Sequence, residues 1–139
     1  MNTICYEPVT TILIADQDDD NRGLVRAVLA LKGFDVLEAV NGEDAVTLAI
    51  EKKPALLLLD LILPVVSGFC VIRRLQEFGL SEMPIIATAL SAATSQRNLA
   101  LTARCVAYLE KPYEPDQLDD LLDQFLPGQR ANLISVMVH

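Results

Sequence analysis

The residues best suited to chemistry in this chain are acids and a lysine that stand where short apolar runs end. Asp16, Asp60 and Lys111 come at or just after the ends of three such runs, and Thr88 and Ala89 end another. Two carboxylates held side by side repel each other and attract a cation, and a hard cation with oxygen ligands, such as Mg²⁺, suits them best. With a lysine that neutralises an incoming anion, these residue types indicate a phosphoryl-transfer site in which a carboxylate is the nucleophile.

Composition excludes other kinds of catalytic site. The one histidine in the sequence is His139, so the chain alone cannot form a Ser-His-Asp or Cys-His catalytic set or a multi-histidine metal site. The cysteines, Cys5, Cys70 and Cys105, are odd in number and widely spaced, which predicts reduced thiols and neither a disulfide framework nor a zinc site. We therefore expect the chemistry to come from carboxylates, hydroxyls or lysine.

An alternation of strands and helices positions these residues. The predicted strands are 11–15, 34–39, 55–59, 84–89 and 106–109; the predicted helices end near residue 31, span 43–51, end near residue 78, and span about 94–103 and 115–125. Five such units predict an α/β fold, with a parallel sheet covered by helices on both faces. The carboxyl ends of parallel strands share one edge of the sheet, so the candidate residues should converge there. The second strand suits an edge of the sheet, and the uniformly apolar third suits its middle.

Length, composition and charge set further bounds. The chain has 139 residues, 52% of them apolar, which is enough for one domain with a buried core. We assign residues 10–126 to that domain, 1–9 to an N-terminal extension and 127–139 to a C-terminal tail. The net charge of −8 would repel a phosphate backbone, so nucleic-acid binding is not expected. Neither a membrane-length apolar run nor a signal-peptide pattern is present, so we expect no membrane association and a cytoplasmic location.

Four motifs in order resemble the response-regulator receiver domain of two-component signalling, as in chemotaxis regulators. The motifs are ILIAD (12–16), LLDLILPVVSG (58–68), MPIIA (83–87) and YLEKPY (108–113), and the resemblance covers about residues 10–126. It implies a flavodoxin-like, doubly wound, three-layer fold with five strands in the order 2-1-3-4-5 and five helices. No separate output domain fits in the remaining tail, so we expect a stand-alone receiver.

The resemblance also implies roles for individual residues. Asp60 would accept a phosphoryl group from a histidine kinase or a phosphotransfer protein, and Lys111 would contact that group. Asp16, Asp60 and the backbone carbonyl of Ile62 would hold Mg²⁺. The Lys111–Pro112 peptide bond is commonly cis in this family, as cis bonds are mostly a proline feature.

The sequence departs from the family pattern at the metal site. The family has an acidic pair after the first strand, and here the second acid is replaced by Gln17. An amide oxygen can still bind a cation, but one negative charge is lost, so we expect weaker Mg²⁺ binding than in a typical receiver. Asp18 could bend in as a replacement, although its place in the sequence fits a helix cap better.

A second departure lies at the end of the fourth strand. Receivers have a Ser or Thr there that bonds the phosphoryl oxygen and draws an aromatic residue inward, and this chain has Ala89. Thr88 is adjacent, but side chains alternate along a strand, so we expect it to need a bulge or a slip to act as a substitute. The aromatic partner is present as Tyr108, which could equally be an ordinary half-buried tyrosine.

Two functions follow from these matches and departures. The first is a receiver that is phosphorylated on Asp60 and signals to a downstream protein, or to a second copy of itself, through the face built from the fourth helix, fifth strand and fifth helix. It would not be an enzyme, beyond Mg²⁺-dependent phosphorylation and dephosphorylation of itself. The alternative is a degenerate receiver that works as an interaction module without phosphorylation, because Gln17 and Ala89 have removed the metal charge and the switch hydroxyl.

Overall fold

The structure is a computed structural model that describes residues 9–90, 100 and 104–126. The strands in this part of the chain are β1 (Thr11–Ala15), β2 (Asp35–Ala39), β3 (Leu56–Asp60), β4 (Ile85–Ala89) and β5 (Ala107–Glu110). The helices are α1 (Asp19–Leu31), α2 (Gly42–Lys52), α3 (Gly68–Glu77) and α4 (Pro115–Phe125). The helix predicted over about 94–103 lies outside the described residues, apart from the buried Ala100. The helix predicted as the fifth is therefore α4.

All five strands pair in parallel in one sheet, in the order β2-β1-β3-β4-β5. This order confirms the flavodoxin-like prediction. β2 lies at an edge, whereas every residue of the central strand β3 is buried, as the two sequence patterns predicted. β3 runs one residue further than predicted, because Asp60 still pairs with Thr88 of β4. The phosphoacceptor candidate is therefore the last residue of a buried central strand.

Alternating residues of the strands build two apolar cores, one on each face of the sheet. One core joins the sheet to α2 and α3, through residues such as Ala49 and Leu75, and we call it the α2–α3 core. The other joins it to α1 and α4, through residues such as Leu29 and Leu122, and we call it the α1–α4 core. Helices on both faces give the predicted three-layer arrangement. No helix in the described part of the chain is long and apolar enough to cross a membrane.

Two glycines let the loop after β3 pack closely against the rest of the molecule. A Cβ built on Gly42 would lie 1.9 Å from the carbonyl oxygen of Val66, and one built on Gly68 would lie 2.6 Å from the Cα of Leu61. Both distances are too short for any side chain, so glycine is required at each position. The close packing fixes the loop that follows Asp60.

Candidate functional site

Four polar or charged residues are buried in the described part of the chain, and all four were candidates from the sequence. They are Asp16, Asp60, Thr88 and Lys111, with exposed fractions between 2% and 9%. Each lies within one residue of the carboxyl end of a strand, at one edge of the sheet. Burying charge is costly unless the charge is paired, so the arrangement needs a reason beyond packing.

The ammonium group of Lys111 bridges the two acids. Its Nζ donates to Oδ2 of Asp16 at 2.8 Å and to Oδ2 of Asp60 at 2.9 Å. Burial tends to lower the pKa of Lys111, but the hydrogen bonds to both carboxylates outweigh it, and the pKa is raised. Lys111 is held in place by its backbone, whose N–H donates to the carbonyl of Ala89 at 2.7 Å. The peptide bond between Lys111 and Pro112 is cis.

Asp60 is placed by β3 and by the turn that follows it. The backbone N–H of Ile62 donates to Oδ1 of Asp60 at 2.9 Å, while Oδ2 faces Lys111. Burial raises the pKa of the Asp60 carboxyl, and the bonds from Lys111 and Ile62 oppose that shift only in part. A partly desolvated carboxylate whose charge is not fully compensated suits a nucleophile better than a carboxylate in water.

The start of α1 holds Asp16 through contacts that the sequence did not predict. Asn21 Nδ2 donates to Oδ2 of Asp16 at 2.7 Å, and Arg22 Nη1 donates to the Asp16 backbone carbonyl at 2.8 Å. Arg22 is itself fixed by Asp19 and by Glu38 of β2. The sequence held one signal for these contacts. Asn21 and Arg22 lie in the first turn of a helix that begins beside a candidate acid, and that turn faces back toward the end of the strand.

The Asp18 carboxylate caps α1 and does not point into the site. Its Oδ1 accepts from the backbone N–H groups of Asp20 and Asn21 at 3.0 and 3.5 Å, as an N-cap does. Its backbone N–H donates to Oδ1 of Asp16 at 2.9 Å. Asp18 therefore supports Asp16 through its main chain and does not supply the acid that Gln17 lacks.

Gln17 lies on the exposed rim of the site. Its Nε2 donates to the carbonyl of Ile62 at 3.3 Å, the same carbonyl that the resemblance assigned to the metal. Gln17 thus joins the loop after β1 to the loop after β3.

The donors at this edge match a hard cation in type and are few in number. Asp16 and Asp60 both reach a single ammonium, so their carboxylates are close enough to share one cation, and Ile62 and Gln17 offer neutral oxygens nearby. Within the described residues, no three acids, histidines or cysteines are arranged so that they could hold a metal ion together. Two carboxylates and neutral oxygens suit Mg²⁺ better than a softer transition metal.

The side chains of Thr88 and Ala89, both in β4, point to opposite faces of the sheet. Thr88 is the register partner of Asp60, and paired residues of parallel strands project to the same face, so Thr88 shares the face of Asp60 without a bulge. We expected Thr88 to point away from the site. That expectation used alternation along β4 alone and lacked the register of β4 against β3, which pairs Thr88 with Asp60. Ala89 lies in the α2–α3 core, against which the half-buried Tyr108 also packs.

Comparison with known sequences identifies relatives over most of the chain. The model of the response regulator receiver domain family matches residues 12–123. An uncharacterized 14.6 kDa protein of Leptolyngbya boryana is 36% identical over 115 residues, covering 82% of this chain and 88% of that protein. The phosphate regulon transcriptional regulatory protein PhoB of Pseudomonas aeruginosa is 33% identical over 109 residues, covering 78% of this chain and 48% of PhoB. The chain thus spans about half the length of PhoB.

Solved structures agree with the sequence relatives. The receiver domain of the sensor histidine kinase PA1611 from Pseudomonas aeruginosa, with magnesium in its active-site cleft, superposes with a TM-score of 0.78 at 27% identity, covering 85% of this chain and 98% of that one. The chemotaxis protein CheY4 of Vibrio cholerae gives a TM-score of 0.78 at 20% identity, covering 85% of this chain and 99% of CheY4. The second likeness is one of fold.

Proposed function

This chain belongs to the response regulator receiver domain family of two-component signalling, and from that membership we propose that it accepts a phosphoryl group on Asp60. The donor would be a histidine kinase or a phosphotransfer protein. The observation that carries the proposal is the bridge from Lys111 to the two buried acids at the carboxyl edge of the sheet. Receiver domains are signalling domains and generally not enzymes, so the phosphorylated chain itself would be the signal.

The chemistry needs a nucleophile, charge neutralisation and a fixed geometry. A carboxylate oxygen of Asp60 forms a bond to phosphorus as the bond from phosphorus to the donor imidazole breaks, and the electron pair of that bond stays on the imidazole nitrogen. Lys111 lies against Oδ2 of Asp60, where it can follow the charge onto the phosphoryl oxygens. Bound Mg²⁺ supplies further neutralisation of those oxygens. Asp16, Asp60 and the Ile62 carbonyl are the residues that would hold it.

We further propose that Mg²⁺ binds weakly. Gln17 brings no charge to the site, and its Nε2 already engages the Ile62 carbonyl. Lys111 occupies one oxygen of each acid. A cation must therefore compete with two donors for oxygens that carry only two negative charges, and ligand charge is a main determinant of hard-cation affinity.

The response to phosphorylation would be blunted. Ala89 offers a methyl group where receivers have a hydroxyl, and it lies in the apolar α2–α3 core with Tyr108 packed against the same core. Thr88 lies on the Asp60 side of the sheet and is the hydroxyl positioned to substitute. Weakened signalling through Tyr108 is the expected consequence.

Downstream contacts would use the face that includes β5 and α4. Phosphorylation would act there on a protein partner or on a second copy of the chain. The same proposal places the chain in the cytoplasm, which its odd number of widely spaced cysteines favours.

Intact-mass spectrometry tests this proposal. The wild-type chain, the Asp60→Ala variant and a Mg²⁺-free sample are incubated with acetyl phosphate. We expect the wild type to gain one phosphoryl group that requires both Asp60 and Mg²⁺. A folded wild type that gains none would instead favour the phosphorylation-independent interaction module.

A further inference from the structure

Asn21 contacts the acid pair although no motif includes it. Its Nδ2 donates to Oδ2 of Asp16 at 2.7 Å, from the first turn of α1. We propose that Asn21 is a positioning residue that holds the Asp16 carboxylate in the orientation needed to bind Mg²⁺. The inference rests on the role proposed for Asp16 as a metal ligand.

The carboxylate of Asp16 is fixed at both oxygens. Oδ1 accepts from the backbone N–H of Asp18 at 2.9 Å, and Oδ2 accepts from both Asn21 and Lys111. Each carboxylate oxygen offers two lone-pair directions, so Asn21 and Lys111 can use Oδ2 together. When Lys111 gives up its place to a cation, the bond from Asn21 remains. Asp16 then keeps its orientation while one lone pair becomes available.

Tyr113 supports Asn21 from the other side. Tyr113 is half-buried and lies two residues beyond Lys111; burial raises the pKa of its phenol, and the neighbouring Asn21 side chain opposes that shift. Both residues also line a cavity between α1 and α4, with Val25 and Leu118. Asn21 therefore links Asp16 to the segment that carries Lys111.

Hydrogen bonds of this kind commonly orient metal ligands, and losing one costs about 10–100-fold in metal affinity. Asp16 and Asp60 are the two acids that would hold Mg²⁺ here, so the orientation of Asp16 would count more than in a site with three acids. We expect Asn21→Ala to weaken Mg²⁺ binding about tenfold. Tyr113→Phe should weaken it less, and should have no further effect when Asn21 is already alanine, because Tyr113 acts through Asn21.

Isothermal titration of the unphosphorylated, full-length chain with MgCl₂ measures these affinities. Asn41→Ala is the matched control, since Asn41 caps α2 by accepting from the Asp44 N–H at 2.8 Å and makes no described contact with the acids. It should lower the temperature of thermal unfolding, as loss of a cap does, with unchanged Mg²⁺ affinity. Thermal unfolding confirms that each variant is folded.

The inference is overturned if Asn21→Ala binds Mg²⁺ as the wild type does, if Asn41→Ala weakens binding equally, or if the wild type binds no Mg²⁺. A Tyr113→Phe effect that persists undiminished in the Asn21→Ala background overturns the link through Tyr113. Intact mass after acetyl phosphate separates the two proposals. A phosphorylated wild type with unaltered affinity in Asn21→Ala contradicts the positioning role alone, whereas Mg²⁺ binding that depends on Asn21 without phosphorylation contradicts the proposed function alone.

Discussion

The loops after β1 and after β3 hold their acids alike in two respects and differently in a third. In each, Oδ1 of the aspartate accepts from the backbone N–H two residues later, and Oδ2 accepts from Lys111. Asp16 also receives the bond from Asn21. For Asp60, the described hydrogen bonds to the carboxylate come from Lys111 and Ile62 alone. Of four lone-pair directions on each carboxylate, Asp60 thus keeps two free and Asp16 keeps one.

From this difference we infer a division of labour between the two acids, in which Asp60 is the nucleophile and Asp16 orients the cation. A carboxylate that must form a bond to phosphorus needs a free lone pair and incomplete charge compensation, which is the situation of Asp60. A carboxylate that must orient a cation needs to be held, which is the situation of Asp16. Lys111 serves both, because it is the cation that the two acids share.

The largest effect should come from removing the shared cation. Lys111→Met leaves two buried carboxylates facing each other, and breaking a buried ion pair in this way costs about 3 kcal/mol of unfolding free energy. Without Lys111 the pKa of Asp60, already raised by burial, rises further. A group whose pKa is raised on folding stabilises the fold at low pH and loses that contribution as pH rises through the folded value, so the defect should shrink on acidification.

Chemical denaturation of Lys111→Met at neutral and acidic pH measures this effect. Lys32→Met is the control, because Lys32 pairs with Asp119 in a partly exposed bridge of the kind that contributes at most about 1 kcal/mol. A Lys111→Met variant as stable as the control at neutral pH would show that the two acids do not depend on the shared cation.

Restoring the missing acid should sharpen the contrast between the loops. Gln17→Asp adds a carboxylate beside the Ile62 carbonyl, and we expect Mg²⁺ affinity to rise about tenfold because hard-cation affinity follows ligand charge. Titration calorimetry measures the change. Gln124→Asp adds the same charge at an exposed position of α4, away from Asp16 and Asp60, and should leave the Mg²⁺ affinity unaltered. Equal affinities for the two variants would argue against Gln17 as the cause of weak binding.

The loop after β3 also carries backbone strain that the loop after β1 lacks. Val65 has φ of 72° and is 79% exposed, so a β-branched residue occupies a left-handed conformation with little burial in return. Val65→Asn should raise the free energy of unfolding by about 1 kcal/mol, since Asn tolerates this conformation. Denaturant melts compare it with Val106→Asn, at an exposed valine outside the left-handed region, for which no gain is expected. A destabilised Val65→Asn variant would contradict the assignment of strain.

The smallest expected effect is on the response of Tyr108 to phosphorylation, and not on Mg²⁺ binding or stability. Ala89→Thr supplies a hydroxyl at the end of β4, and it should enlarge the change in the NMR signals of Tyr108 on phosphorylation. Thr88→Val should have the opposite effect if Thr88 is the working substitute. Thermal unfolding checks that the added side chain fits the core around Ala89. Identical Tyr108 signals in the phosphorylated wild type and the phosphorylated Ala89→Thr variant would contradict the prediction that a hydroxyl at residue 89 strengthens the response.

The sequence predicted the sheet well because its signals are local. Short apolar runs separated by caps and turns identified each strand, and Asp16, Asp60 and Lys111 follow from where those runs end. The uniformly apolar run ending at Leu59 required a central strand, and parallel order then brought the strand ends to one edge.

Details that depend on register between strands were beyond the sequence. Whether Thr88 or Ala89 shares the face of Asp60 depends on a one-residue offset of β4 against β3, and alternation alone does not give that offset. Asn21 and Arg22 were missed because their contacts return from a helix to the preceding strand end. The Gln17 bond to Ile62 joins two loops 45 residues apart, which no local pattern encodes.

The division of labour is tested most directly by intact-mass spectrometry of Asp16→Asn and Asp60→Asn, each incubated with acetyl phosphate over a series of Mg²⁺ concentrations. We predict that Asp16→Asn gains a phosphoryl group but needs more Mg²⁺ than the wild type, whereas Asp60→Asn gains none at any concentration. Phosphorylation of Asp60→Asn, or an Asp16→Asn variant with the Mg²⁺ requirement of the wild type, would contradict the account.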